Sequence, residues 1–275
     1  MQKKIAVIND LSGYGRCSLT VAIPVLSAMG HQCCPIPTAI LSNHTEFPVY
    51  FFDDYTEKMT TYTDKWKELG LSFDAIATGF LGSEAQIGIV MEIVQKLKAE
   101  KTFVVVDPVM GDHGHAYETY TPEMCEQMKE LVCMADVVLP NVTECCILTD
   151  TPYREENWAR KELLNMAMML RLMGAKSVVI TGVREGSCYT NVVLEQGQYD
   201  AKFIRTRSSG GERPGTGDVF SSVVAGALLN GKSLPEAVSQ AAGFVKECIK
   251  VSDEEQIPHA NGVCFEKILG KLIKK

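Results

Sequence analysis

Extended and helical patterns alternate from the start of the chain. Short apolar runs at residues 5–9, 33–37, 75–78, 102–106, 136–139 and 177–181 read as strands. The run at 102–106 is apolar at nearly every position, the pattern of a strand buried on both faces in a parallel sheet. Helical periodicity fills the intervals at 18–29, 56–69, 84–99, 122–132 and 155–173, the last stopped by Gly174. Such βαβα alternation predicts an α/β protein of three αβα layers, with a mostly parallel central sheet. After residue 181 the rhythm changes. Two strand-like runs, 186–194 and 199–206, flank Glu195-Gln196-Gly197-Gln198, which predicts an antiparallel hairpin at one sheet edge. A polar, glycine-rich stretch at 207–213 leads into three helical segments, 216–230, 234–251 and 263–271. No repeat or low-complexity linker divides the chain, so residues 1–275 read as a single domain.

Composition removes several function classes. The 275 residues are 46% hydrophobic and 22% charged, enough for a sizeable core. Lys and Arg number 27 against 34 Asp and Glu, a formal charge of −7. That argues against a nucleic-acid or anionic-membrane binder, which needs a basic surface. No stretch approaches the ~20 apolar residues of a membrane span, and the opening apolar run is too short for a secretory leader. Ten cysteines include the adjacent pairs Cys33-Cys34 and Cys145-Cys146 but no C-x-x-C. They read as reduced, mostly buried thiols, not as disulfides or a zinc site. The expectation is a cytoplasmic protein.

The chemistry concentrates at Gly215-Thr216-Gly217-Asp218, which follows Arg213-Pro214 and runs into an apolar helix. Glycines at a helix start let backbone N–H groups converge on an anion, and the helix dipole adds to the attraction. Arg205, Arg207 and Arg213 stand nearby. A carboxylate beside such a hole suits phosphoryl transfer to an alcohol, because it can accept the hydroxyl proton; alternatively Asp218 simply caps the helix. Residues 226–233 match the P-loop pattern letter for letter. They lie inside a predicted helix, with Ser233 and Glu236 placed as the capping box of the next one, so the match is a decoy. Asp107, Asn141 and Thr181 each stand just past a predicted parallel strand, at the edge where open α/β sheets bind ligands. Asp107 and Glu144 are oxygen ligands suited to Mg²⁺ through water. Helix or turn capping is the alternative for Asp107 and Glu144 and the simpler role for Asp112, and His113 and His115 read as solvated loop residues.

Taken in order, these segments resemble the ribokinase-like superfamily, and within it the pyridoxal/pyridoxamine kinase branch of vitamin kinases. The resemblance covers essentially the whole chain. It implies that Gly215, Thr216 and Gly217, with Arg213 and Pro214, form the anion hole, and that Asp218 is the catalytic base. Ser42-Asn43-His44-Thr45 resembles the branch's substrate flap, where the threonine position contacts the ring. Asp107-Pro108-Val109-Met110-Gly111-Asp112 and Pro140-Asn141 with Glu144 resemble the segments near phosphates and magnesium, with Asp107 and Glu144 toward the metal. Thr181-Gly182 resembles the strand end that meets the nucleotide. The resemblance therefore implies ATP and Mg²⁺, leaves a monovalent cation such as K⁺ open, and implies a homodimer that phosphorylates the hydroxymethyl group of a B6 vitamer.

Departures bear on the substrate. Asp10 stands where pyridoxal kinases usually carry a serine against the ring, and Phe80 where many have tyrosine. Ser12-Gly13-Tyr14-Gly15 is similar to the serine-glycine turn of hydroxymethylpyrimidine kinases, which leaves that activity as the alternative. The short N-terminal turn predicts no extra lid strands, which argues against sugar and nucleoside kinases.

Overall fold

The computed structural model describes residues 2–273. The first half of the chain forms β1 (Lys4–Tyr14), α1 (Ser18–Ala28), β2 (Gln32–Asn43), β3 (Phe52–Asp54), α2 (Thr56–Glu68), β4 (Ala75–Thr78), α3 (Glu84–Leu97) and β5 (Phe103–Val106). A small hairpin of β6 (Gly111–Asp112) and β7 (His115–Ala116) follows, then α4 (Pro122–Cys133), β8 (Val137–Val138), α5 (Val142–Leu148) and α6 (Arg160–Met173). The chain continues through β9 (Ser177–Glu185), β10 (Cys188–Leu194), β11 (Lys202–Arg207), α7 (Thr216–Leu229) and α8 (Leu234–Glu254).

Among the described residues the main sheet has nine strands in the order β11-β10-β9-β8-β5-β4-β1-β2-β3. The six strands from β9 to β2 are parallel. Antiparallel β10 and β11 extend one edge, and antiparallel β3 the other. Side chains alternate across a strand, and here each face meets its own helices. Ile5, Val7, Val105 and Val179 pack with residues of α1, α7 and α8, while Ala6, Ile8, Val104 and Ile180 pack with those of α3, α4 and α6. This is the three-layer αβα architecture with an edge hairpin. The strand order reverses at β1, with β2 on one side and β4 on the other. The crevice past their carboxyl ends is thus a topological switch point, the usual ligand position in such sheets.

Several element boundaries differ from those the sequence predicts. β1 runs on to Tyr14 and β2 to Asn43, paired past a bulge between Asn9 and Leu11. Both outrun β4, whose pairing with β1 ends at Ile8, and β3 pairs onto Ala39–Leu41. The site therefore carries a three-stranded projection where no lid strands were expected. Its polar residues look like a turn, but the ladder to β2 satisfies their backbone. α6 starts at Arg160 and not at 155, because Asn157 takes a φ of 64° and Glu162 accepts the Ala159 amide at 2.8 Å. Residues 263–271 do not form an α-helix; only Glu266–Leu272 winds, as a 3₁₀ turn. The Val263 amide instead donates to the Pro214 carbonyl, and that of Cys264 to Ser252 Oγ. Among the described residues no helix is long and apolar enough to cross a membrane.

Candidate active site

Gly215 opens α7 with a φ of 78°. A Cβ at this position would lie 1.8 Å from the Arg16 carbonyl oxygen, so glycine is required. Gly217, one turn-step on, is exposed with open space about it. An anion can approach these first-turn amides, which an α-helix leaves without internal partners. The neighbouring residues brace the loop. Thr216 Oγ1 donates back to the Arg213 carbonyl at 3.0 Å. Arg213 itself donates to Asp253 Oδ1 and the Ile257 carbonyl, each at 2.8 Å, so its charge is paired with α8 and does not stand free above the glycines.

Asp218 lies in the first turn of α7, beside Asn9 of β1. Asn9 Nδ2 donates to its Oδ1 at 3.2 Å, and the Ser18 amide beside the same carboxylate also pulls its pKa down. Burial outweighs these donors and raises its pKa to about 6. Asn9 is fixed in turn, its Oδ1 accepting the amides of Asp10 and Phe80, each at 3.0 Å. Asp10 is buried, with Oδ2 accepting Ser12 Oγ at 2.8 Å and Oδ1 accepting Ser18 Oγ at 2.5 Å. Its pKa is raised, first by burial, against the pull of both hydroxyls. The Phe80 ring meets Tyr120 edge-on, 6.5 Å between centroids. In the flap, Ser42 Oγ accepts the Phe51 amide at 2.8 Å and donates to Asn43 Oδ1 at 2.7 Å, closing the loop. His44 is buried, and its Nε2 donates to the Ala260 carbonyl at 2.7 Å. Thr45 follows, exposed.

A second group of acids faces Asp218. The pKa of Asp107 is raised by burial and by the Asp218 charge, against the pull of the Ser221 hydroxyl one turn along α7. Glu144 is buried and raised for like reasons, burial first and then Asp107. It caps α5 reciprocally with Asn141 and also accepts the Met110 amide at 3.2 Å. Asn141 Nδ2 donates to the Gly111 carbonyl at 2.9 Å, fixing the small β6–β7 hairpin. The Thr181 amide donates to the Pro140 carbonyl at 2.8 Å. Asp112 is exposed and accepts the amide of His113, whose ring reaches Glu212 at 3.3 Å across the site. Among the described residues no three His, Cys, Asp or Glu side chains converge to hold a metal alone. Two mutually repelling carboxylates with few protein ligands fit Mg²⁺, which keeps much of its water and shares phosphate oxygens.

The structure thus brings Asp10, Ser12, Phe80, Asp107, Glu144, Asn141 and Asp218 around the switch point, while Arg213, Thr216 and Ser42 hold loops. Asn9, Ser18 and Ser221 enter the site without having been singled out. Ser221 was findable, being three residues past Asp218 on one helix face.

A family model described as phosphomethylpyrimidine kinase matches residues 22–264. The chain belongs to the phosphomethylpyrimidine kinase family. Within this kinase family, a similar solved structure is that of a Bacteroides thetaiotaomicron protein provisionally named a phosphomethylpyrimidine kinase. In its orthorhombic form with pyridoxal it is 39% identical, with a TM-score of 0.94 over 99% of this chain and 96% of that one. The pyridoxine/pyridoxal/pyridoxamine kinase of Bordetella avium is 26% identical over 260 residues, 89% of this chain and 84% of its own. The hydroxymethylpyrimidine/phosphomethylpyrimidine kinase of Aquifex aeolicus is 32% identical over 174 residues, 62% of this chain and 66% of its own.

Proposed function

We propose that the chain transfers the γ-phosphoryl group of ATP to the hydroxymethyl group of a B6 vitamer, giving its 5′-phosphate and ADP. One observation carries this reading: Asp218 stands between the open amides at the start of α7 and the buried Asp10, which lies in β1 just past its pairing with β4. Phosphate on one side and ring on the other place an alcohol at the carboxylate. The similarity to a protein solved with pyridoxal supports the ring type.

In this reading Asp10 faces the ring, with Phe80 and the His44–Thr45 turn closing over it. Amides of residues 215–217 hold the phosphoryl oxygens as charge shifts during transfer. The substrate oxygen forms a bond to phosphorus as the bond to the ADP oxygen breaks, and its proton passes to Asp218. Mg²⁺, when bound, neutralises phosphate charge; Asp107 and Glu144 would hold it, largely through water. Asn141, Thr181 and Asp112 line the nucleotide side, and Arg213 and Pro214 keep the loop in place. We read the 275 residues as one catalytic domain, acting as a homodimer in the cytoplasm, without nucleic-acid or membrane partners.

Hydroxymethylpyrimidine kinase is the second reading, favoured by the family description and the Aquifex relative. ATP consumption over pyridoxal, pyridoxine, pyridoxamine and hydroxymethylpyrimidine decides. The expected result is a kcat/KM for the best vitamer at least ~100-fold above that for hydroxymethylpyrimidine, the scale of discrimination a polar site supplies. The opposite order would overturn the proposal.

A further inference from the structure

Ser18 is the first residue of α1, and it does more than begin a helix. Its backbone has a φ of 53°, in the left-handed region that a residue with a Cβ rarely adopts. Such conformations persist only where the surroundings impose them, and they cluster at functional sites. Here the conformation lets one buried residue face two ways. Its amide, which the first turn of α1 leaves without a helical partner, turns toward the Asp218 carboxylate and lowers its pKa. Its hydroxyl donates to Asp10 Oδ1 at 2.5 Å. Among the described residues no other makes this pair of contacts to the two carboxylates: of the two acids Ser12 reaches Asp10, and Asn9 donates its side-chain amide to Asp218 while its Oδ1 accepts the Asp10 backbone amide. Cys17, the preceding cap residue, makes no side-chain capping bond, so the start of α1 is organised around the acids and not around its own cap.

We infer that Ser18 is a positioning residue that fixes the ring-facing carboxylate and the base relative to each other, and so sets which ring presents its hydroxymethyl group to Asp218. The inference rests on the function proposed above. Asp10 and Asp218 come from opposite ends of the chain, and both need donors to stay charged and oriented where water is scarce. A hydrogen bond to a charged group in such a place is worth more than one between neutral groups. With the hydroxyl removed, Asp10 keeps the Ser12 hydroxyl alone and can turn or take up a proton, while the Ser18 amide stays beside Asp218. The defect should therefore fall on recognition of the ring and not on the chemical step.

The test is steady-state kinetics of Ser18→Ala and Ser18→Gly with pyridoxine and ATP, alone and combined with Asp10→Asn. Both single variants should raise KM for pyridoxine about tenfold or more, the scale of one charge-assisted hydrogen bond, with KM for ATP unchanged. In the Asp10→Asn background, Ser18→Ala should add less than about a further twofold, because residues acting through one contact are not additive. A KM that does not move, or one that rises equally with and without Asp10, would overturn the inference. Ser18→Gly separates hydroxyl from backbone, since glycine takes a positive φ freely. Recovery of KM in that variant would assign the effect to strain and also overturn it. If Ser18→Ala does not fold, the glycine variant carries the same comparison. If the unmodified chain phosphorylates no vitamer, the proposed function fails by itself. Calorimetric binding of pyridoxine and of hydroxymethylpyrimidine to the same variants then decides the role of Ser18: weaker binding that depends on Asp10 supports it, and unchanged binding rejects it.

Discussion

At the scale of single residues, Asp218 works under a conflict that can be measured. Its pKa near 6 results from burial exceeding the two donors, Asn9 and Ser18. The folded protein therefore holds the Asp218 proton more tightly than the unfolded chain does. Its contribution to stability is complete below the ordinary aspartate range and is lost as pH rises through about 6. Above that pH the ionised carboxylate costs about 3 kcal/mol relative to an exposed one. Asp218→Asn should consequently raise Tm at pH 8 by a few degrees while kcat falls about 10²–10⁴-fold. Calorimetry and turnover on one preparation check both. In the unmodified chain, kcat/KM should fall tenfold per pH unit below about 6, as Asp218, the proposed base, becomes protonated. Asp218, Asp107 and Glu144 were legible because short local patterns mark them. Asn9 and Ser18 were not, since the Asn9 contact spans 209 positions and no local pattern records it.

Elements explain why two glycines of one motif are not equivalent. Gly215 must be glycine for its φ of 78° and for the Arg16 carbonyl that would lie 1.8 Å from a Cβ. Gly217 has open space and no positive φ. Gly215→Ala should lower Tm by at least ~3 °C, given a left-handed penalty of about 1–2 kcal/mol before any clash. Gly217→Ala should leave Tm unchanged and raise KM for ATP, because the methyl group stands only in the path of the phosphate. Thermal melts and ATP titrations distinguish these outcomes. Strands with apolar runs were readable, and so was the hairpin turn. The length of β1 was not: Asn9, Asp10 and Ser12 look like a turn, and only pairing with β2 makes them a strand. The end of the chain shows the converse. Residues 263–265 have a helical pattern, but their amides are taken in turn by the Pro214 carbonyl, Ser252 Oγ and Glu266 Oε2.

Over the whole molecule, the acidic balance has a local meaning. Asp10, Asp107, Glu144 and Asp218 all have raised pKa values, and all lie about the switch point between β1 and β4. An anionic nucleotide enters such a place only with its charge offset, by helix-start amides on one side and a divalent cation on the other. A non-hydrolysable ATP analogue with Mg²⁺ should raise Tm by several degrees, since saturation at 100 Kd contributes about 2.7 kcal/mol. The analogue with a chelator should give less than half that rise in a thermal-shift assay. The αβα layering was legible because strand and helix periods differ along the chain. The meeting of residues 9 and 18 with residue 218 was not, because it depends on strand order and that order leaves no local trace.

The central claim is that this chain makes a phosphate ester of a B6 hydroxymethyl group with Asp218 as base. The most direct measurement is product stoichiometry from pyridoxine and Mg·ATP, followed by phosphorus NMR for the unmodified chain and Asp218→Asn. The account predicts one 5′-phosphate ester per ADP, and ester formation slowed at least ~100-fold in the variant. ADP released without ester, or a variant as fast as the unmodified chain, would contradict it.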